Sequence, residues 1–409
     1  MHEARIRARA RMLPRAFIEE VAGSGDDDAT AHAAVAGLVV LRTVDRWVAE
    51  GCRGGFDIAG ASTAVQQIET GNVARAILGE VLDAIAVGGI ASAPTVAERL
   101  LAYAGSLEYD AKWSMAMAVC EFVVQHAGVA SSDEAVSAAY VRQGRCLRAL
   151  GQFSESRRAY SAGKRIAERL GDVRCMLLAD IGCARVDVDE GNLTEADAAL
   201  RIVIARAEHA QLKDVCSMAI HDRAVVAGTA GAPFESTLLA YQALQLCEDP
   251  VNRDRILFDI GENLRLQGLG EASRDAFLLL SCTAREQSSR WHALILLMRI
   301  AGDDHAELVF DEYRRVLASV PLPMLLEIEF GLQVGYALRM LGRHSESAMV
   351  LERAAALAKQ RGFAQEVRNI ERAQAGESDC VTELAPNQLF DLSEIIQTLR
   401  AMREATIAG

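Results

Sequence analysis

A recurring frame of small residues constrains what this 409-residue chain can fold into. Segments 138–172 and 330–362 both carry a Gly, a Leu three residues later, and a second Gly after four more. These are Gly144, Leu147 and Gly151 in one copy, Gly335, Leu338 and Gly342 in the other. Gly261, Leu264 and Gly268 make a third copy. Five positions past the second Gly comes Ser156, Ser273 or Ser347; four further on comes a large residue, Tyr160, Phe277 or Leu351. Weaker copies keep the frame at Ala184, Gly191, Ala196 and Leu200, and at Ala224, Gly231 and Ser236. Upstream, Ala104, Ala111 and Ala116 keep only the small residues. The turn positions fall at 111, 151, 191, 231, 268 and 342, separated by 40, 40, 40, 37 and then 74, which is twice 37. A degenerate unit near 305 fills that gap, and one more centres on Gly71.

A fixed period of this length is the mark of stacked supersecondary units. Small residues at the first and third marked positions let two antiparallel helices approach closely, and the middle Gly supplies a left-handed or tight turn. Apolar residues inside each half-unit follow helical spacing, as at Ala196, Leu200, Val203 and Ala207. Alternating runs flanked by hairpin turns are absent. Prolines sit at expected helix ends: Pro94, Pro233, Pro250, and Pro321 with Pro323. The expected fold class is all-α, an α-solenoid of stacked antiparallel helical hairpins.

The pattern resembles the tetratricopeptide repeat family in its longer-period form, over about residues 96–365. The family's Trp in the first helix of each hairpin, and its Pro at the repeat end, are mostly missing. The resemblance implies a right-handed superhelix whose first helices line a concave groove that holds a protein or peptide.

The expected organisation is a basic then acidic arm over 1–28, a divergent helical cap or first repeat over 29–95, the repeat array over 96–375, and a linker with an amphipathic helix over 376–409. The arm carries Arg5, Arg7, Arg9, Arg11 and Arg15; the cap places Ala33, Ala36, Val40, Val44 and Trp47 on one stripe. The last helix aligns Leu392, Ile395, Ile396, Leu399 and Met402, a stripe that suits a solenoid cap, a partner, or a homodimer. With a net charge of −13 the chain lacks the basic balance of a dedicated nucleic-acid binder. No apolar run is long enough to span a bilayer. Nine cysteines without a C-x-x-C pair, and no visible secretory signal, read as a cytoplasmic protein with reduced thiols.

In the family's register the groove-facing positions hold Arg142, Arg145 and Arg148, then Arg185, Asp222, Asp259, Glu262, Arg265 and Arg339. One reading is a partner-binding groove, basic in its N-terminal half with an acidic patch beyond, since Arg suits forked carboxylate recognition. The other is a solvated helix face with intramolecular Arg–Asp pairing. The family's Lys/Asn clamp for a C-terminal carboxylate is not reproduced, because those places hold Val141, Arg142, Arg145, Ile181, Gly182 and Arg185.

Metal, cofactor and catalytic signatures are weak. The eight His are scattered without H-x-x-H or H-E-x-x-H spacing, and no phosphate loop or nucleophile elbow occurs. His221 beside Asp222 is a candidate acid/base pair; Asp303, Asp304 and His305 read as a helix-end feature; Cys175, Cys183 and Cys216 read as packing residues. The leading expectation is a non-enzymatic scaffold binding a protein or peptide, with no cofactor, no nucleic acid and no membrane. The alternatives are a regulatory sensor acting on a separately encoded signalling or transcription partner, and a helical enzyme built around His221.

Overall fold

A computed structural model describes residues 14–23, 29–110, 112–128, 131–320, 322–361, 363–377 and 384–408. The described residues are overwhelmingly helical; besides the helices there is only one isolated bridge, Ala127 to Ser131. No helix among them is long and apolar enough to cross a membrane. The chain divides into two compact units, residues 1–190 and 191–409.

The first unit contains α1 (Arg15–Gly23), α2 (Ala29–Ala49), α3 (Ala59–Gln66), α4 (Val73–Val87), α5 (Ala93–Tyr109), α6 (Trp113–Gln125), α7 (Asp133–Ala149), α8 (Phe153–Leu170) and α9 (Val173–Asp189). Residues 15–23, which the sequence assigns to the arm, form a helix whose Phe17 is fully buried 6.4 Å from the Tyr103 ring. Arg5, Arg7, Arg9 and Arg11 lie outside the described residues. Ala36, Val40, Val44 and Trp47 bury the expected stripe of α2. The Trp47 indole donates to the Arg53 carbonyl at 3.0 Å, so its one polar group is satisfied on burial.

The second unit contains α10 (Leu193–His209), α11 (Lys213–Thr229), α12 (Pro233–Leu246), α13 (Pro250–Leu266), α14 (Gly270–Thr283), α15 (Gln287–Asp303), α16 (Glu307–Ala318), α17 (Met324–Met340), α18 (His344–Arg361), α19 (Ala364–Gln374), α20 (Pro386–Asp391) and α21 (Ser393–Ala408). Pro233 and Pro250 open their helices, where a missing N–H costs nothing. Pro321 and the turn position Ala111 lie outside the described residues.

Sequential helices pack in antiparallel pairs, α7 on α8, α8 on α9, and onward in the second unit from α11 to α16 and from α17 to α19, with α17 seated against α15. The turn between α7 and α8 shows why the frame carries Gly. Gly151 adopts φ +73°, its N–H reaches the Arg148 carbonyl, and the next N–H reaches Leu147. That pair of bonds satisfies two carbonyls the helix end would otherwise leave open. The inferred unit near 305 uses the same turn: His305 takes φ +57°, with bonds from His305 and Ala306 to Gly302 and Ala301.

Inside the hairpins α7–α8, α11–α12 and α17–α18 the marked residues lock together, whereas the buried Ser273 hydroxyl of α14 has no hydrogen-bond partner among the described residues. Ser156, Ser236 and Ser347 are buried, and each hydroxyl donates at 2.7 Å to a carbonyl twelve residues earlier, at Gly144, Ala224 and Gly335. A Cβ on Gly144 would meet the Tyr160 ring at 2.7 Å, and one on Gly261 would meet Phe277 at 3.0 Å. The absent side chain is therefore the seat of the large residue sixteen positions on.

The hairpin α15–α16 departs from this lock. Counting from His305, the small position holds Met298, the Ser position Phe310 and the large position Arg314. Met298 and Phe310 are fully buried, so bulk enters where the other hairpins are small. The helix α16 is also short, at 12 residues against 18 in α8.

The last helix does not cap the array. The helix α19 packs on α17 and α18, while α21 lies against α14. There Leu392, Ile395 and Leu399 are buried, Arg403 donates to the buried Asp275 at 2.5 Å, and the Tyr241 hydroxyl reaches Glu394. The apolar stripe expected to cap, or to pair with a second copy, is occupied within its own chain.

Candidate functional site

In the first unit, Arg142 and Arg145 project from α7 onto one carboxylate, Glu108 of α5, at 2.9 and 3.3 Å. Glu108 is only 7% exposed, so the two guanidinium groups compensate a charge withdrawn from water. Arg148 pairs with Asp189 at 2.7 Å, and Arg185 is half-buried on the neighbouring helix α9. The ladder is thus a row of bridges between helices, which is the intramolecular pairing left open by the sequence. Glu108 was missed there because it lies 34 positions before Arg142.

In the second unit, His221 of α11 pairs with Asp259 of α13, Nε2 to Oδ2 at 2.7 Å. Its sequence neighbour Asp222 is buried instead, because adjacent helix positions point about 100° apart and cannot face each other. The expected His221–Asp222 pair is therefore replaced by a pair across helices. Glu262 receives two bonds from Arg265, Nε at 3.0 Å and Nη2 at 2.6 Å. Asp303 lies 3.8 Å from Arg265 and accepts from Arg299 Nε at 2.9 Å. The Arg299 guanidinium carbon sits 4.5 Å from the centre of the Tyr336 ring.

A continuous network therefore runs Glu262, Arg265, Asp303, Arg299, Tyr336 across α13, α15 and α17. Arg265 and Arg299 are buried, while Glu262 and Asp303 keep about 29% and 28% exposure. Arg339, three positions beyond Tyr336, is half-buried, and its Nη1 is enclosed without a hydrogen-bond partner among the described residues. The sequence could have yielded Arg299 and Tyr336: both stand six positions before a turn, as Arg145, Arg185 and Glu262 do. Arg299 stays hidden unless His305 is accepted as a turn.

His292 extends this region, its ring centre 4.1 Å from that of Phe258. Burial pushes its pKa down to about 4, partly opposed by Asp259. Arg299 and Asp303 show the Asp303–His305 segment to be a helix-end pairing, completed by Arg274 on Asp304. Among the described residues no group of three or more His, Cys, Asp or Glu is arranged to hold a metal ion. Cys175 and Cys216 are buried and Cys183 half-buried, with burial raising each thiol's pKa.

No protein-family model matches the chain, and no curated protein matches it in sequence. Solved structures do. A Rap protein complexed with Competence and Sporulation Factor is similar over 81% of this chain and 99% of its own, with a TM-score of 0.50 and 11% identity. BtubC (BKLC) from P. vanneervenii aligns over 46% of this chain and 81% of its own, with a TM-score of 0.36 and 11% identity. At such identity the likeness to the Rap structure is one of fold. The class that fold and packing define is an all-α helical repeat protein of stacked antiparallel hairpins.

Proposed function

We propose that this chain is a non-enzymatic scaffold of the tetratricopeptide type, holding an extended protein or peptide segment along the first-helix faces of its hairpins. The observation that carries this reading is the network from Glu262 to Tyr336. Its buried arginines are fixed in place, while the carboxylates they hold remain partly exposed. An incoming chain can take over such pairs without leaving a charge buried alone, and Tyr336 offers an aromatic face beside them. Asp259, 38% exposed beside His221, extends the acidic end. No cofactor, nucleic acid or membrane enters this reading, and its place of action is the cytoplasm.

A second reading makes the chain a regulatory module whose ligand controls a separately encoded partner. Its support is the fold likeness to a Rap protein solved with Competence and Sporulation Factor bound.

Selection of a random-peptide library against the full chain tests the scaffold. Selected peptides should bind more weakly as salt rises, and at least about tenfold more weakly to Asp259→Lys and Tyr336→Ala variants. Charge reversal at Arg142 and Arg145 is unsuitable, because it strands the buried Glu108. A selection without binders, or binders indifferent to both substitutions, sinks the reading.

A further inference from the structure

The departure of the α15–α16 hairpin from the repeat frame has a physical consequence in the second unit. The position filled by Tyr160, Phe277 or Leu351 elsewhere is Arg314, and α16 ends after 12 residues. The short helix and the missing apolar plug leave a cavity of about 460 Å³ between α16, α17 and α18. That is within the size range in which pockets bury most of a small ligand.

The cavity is apolar at its base and charged around it. Leu317, Phe330, Val334 and Leu357 supply the apolar wall. Gly331 brings α17 and α18 together beneath it, where a Cβ would meet that of Ala354 at 2.9 Å. Arg353 is exposed at the cavity and makes no hydrogen bond or ion pair among the described residues. Arg314 reaches Glu346 only at 3.4 Å, while that carboxylate is gripped at 2.8 Å by both Nε and Nη2 of Arg343. Glu327 lines the cavity as a single carboxylate.

The cavity is separate from the charge network. Glu327, Gly331 and Val334 lie on one stripe of α17, while Gln333 and Tyr336 belong to others on the helix. An apolar wall with a free guanidinium and a loosely paired one calls for a ligand that is hydrophobic at one end and anionic at the other. We infer that this cavity binds an apolar carboxylate, an aliphatic or arylalkyl acid. Its chain lies against Phe330 and Val334, and its carboxylate meets Arg353 and Arg314. Glu327 sets the direction by repelling the carboxylate from its own end.

Titration calorimetry of the full chain with decanoate and with 4-phenylbutyrate tests this, using decanol and decylamine as controls. Saturable binding of at least one acid is expected, and it should be weakened about tenfold or more by Arg353→Gln. Val350→Trp, which places a ring into the cavity from α18, should abolish it. Arg353 is exposed, so its substitution leaves the fold intact and decides the matter even where the Trp variant unfolds. Absence of saturable binding by both acids overturns the inference. So do controls that bind as tightly as the acids, or acid binding that Arg353→Gln leaves unchanged.

Discussion

In the hairpin of α7 and α8, Gly144 and Ser156 yield room and Tyr160 fills it. In the hairpin of α15 and α16, Met298 and Phe310 fill the matching positions and Arg314 stands where the ring would be. Both hairpins close with the same turn, through Gly151 in one and His305 in the other. Interior bulk has moved from the second helix's large position to its small one, with no loss of buried Phe310 or Met298. The repeat therefore keeps the turn geometry, while the side that supplies the bulk is free to change. One result of the change is the cavity beside Arg314.

The comparison breaks most visibly at Phe310. Writing the common Ser into this hairpin, Phe310→Ser, removes a fully buried ring with no Gly opposite to accept a neighbour. A loss of about 3–5 kcal/mol is expected from urea unfolding monitored by circular dichroism. The opposite rule governs α7–α8, where adding atoms is the harm. A methyl group from Gly182→Ala would collide with the Tyr160 ring on its other side. A loss of about 2 kcal/mol is expected, against the gain that Ala brings to an unobstructed helix. A Gly182→Ala chain as stable as the parent would show that Tyr160 is not the fixed plug the lock requires.

A third expectation concerns His292, on the departing helix α15. Burial holds its pKa near 4, below the ordinary 6.5. Between those values the unfolded chain takes up a proton that the folded chain refuses. Stability contributed by the neutral imidazole is therefore complete above about pH 6.5 and is lost as pH falls toward 4, by about 3 kcal/mol. His292→Gln should flatten that slope relative to the parent; an unchanged slope would place the titration elsewhere.

The fold was legible in the sequence because close helix approach demands small residues at fixed intervals, and Gly144, Gly261 and Gly335 report that demand directly. The turn at 305 was reachable only by arithmetic, since His gives no sign of a left-handed conformation. The charged faces were legible as faces but not as pairs: whether Arg148 meets Asp189, 41 positions away, depends on how far one helix slides along the next. Likewise the stripe Leu392, Ile395, Leu399 announces burial without saying against which helix. Its seat on α14 is decided by Asp275, a buried carboxylate that needs Arg403.

The smallest expected effect is also the most direct test of the shared turn. His305 holds φ +57°, a region that costs an L-residue about 1 kcal/mol and Gly nothing. Replacing it with Gly removes that cost, but returns conformational freedom to the unfolded chain. The difference leaves a net gain of about 0.5 kcal/mol for His305→Gly, visible as a higher urea midpoint at unchanged slope. Gly151→Ala, the reverse exchange at the matching turn, should lose a similar or slightly larger amount. Opposite signs at the two sites would establish that one turn geometry is held in both hairpins, one with the residue suited to it and one without. Equal signs would mean that the chain at 305 relaxes to another conformation once its side chain is gone, and that the two hairpins share a period but not a turn.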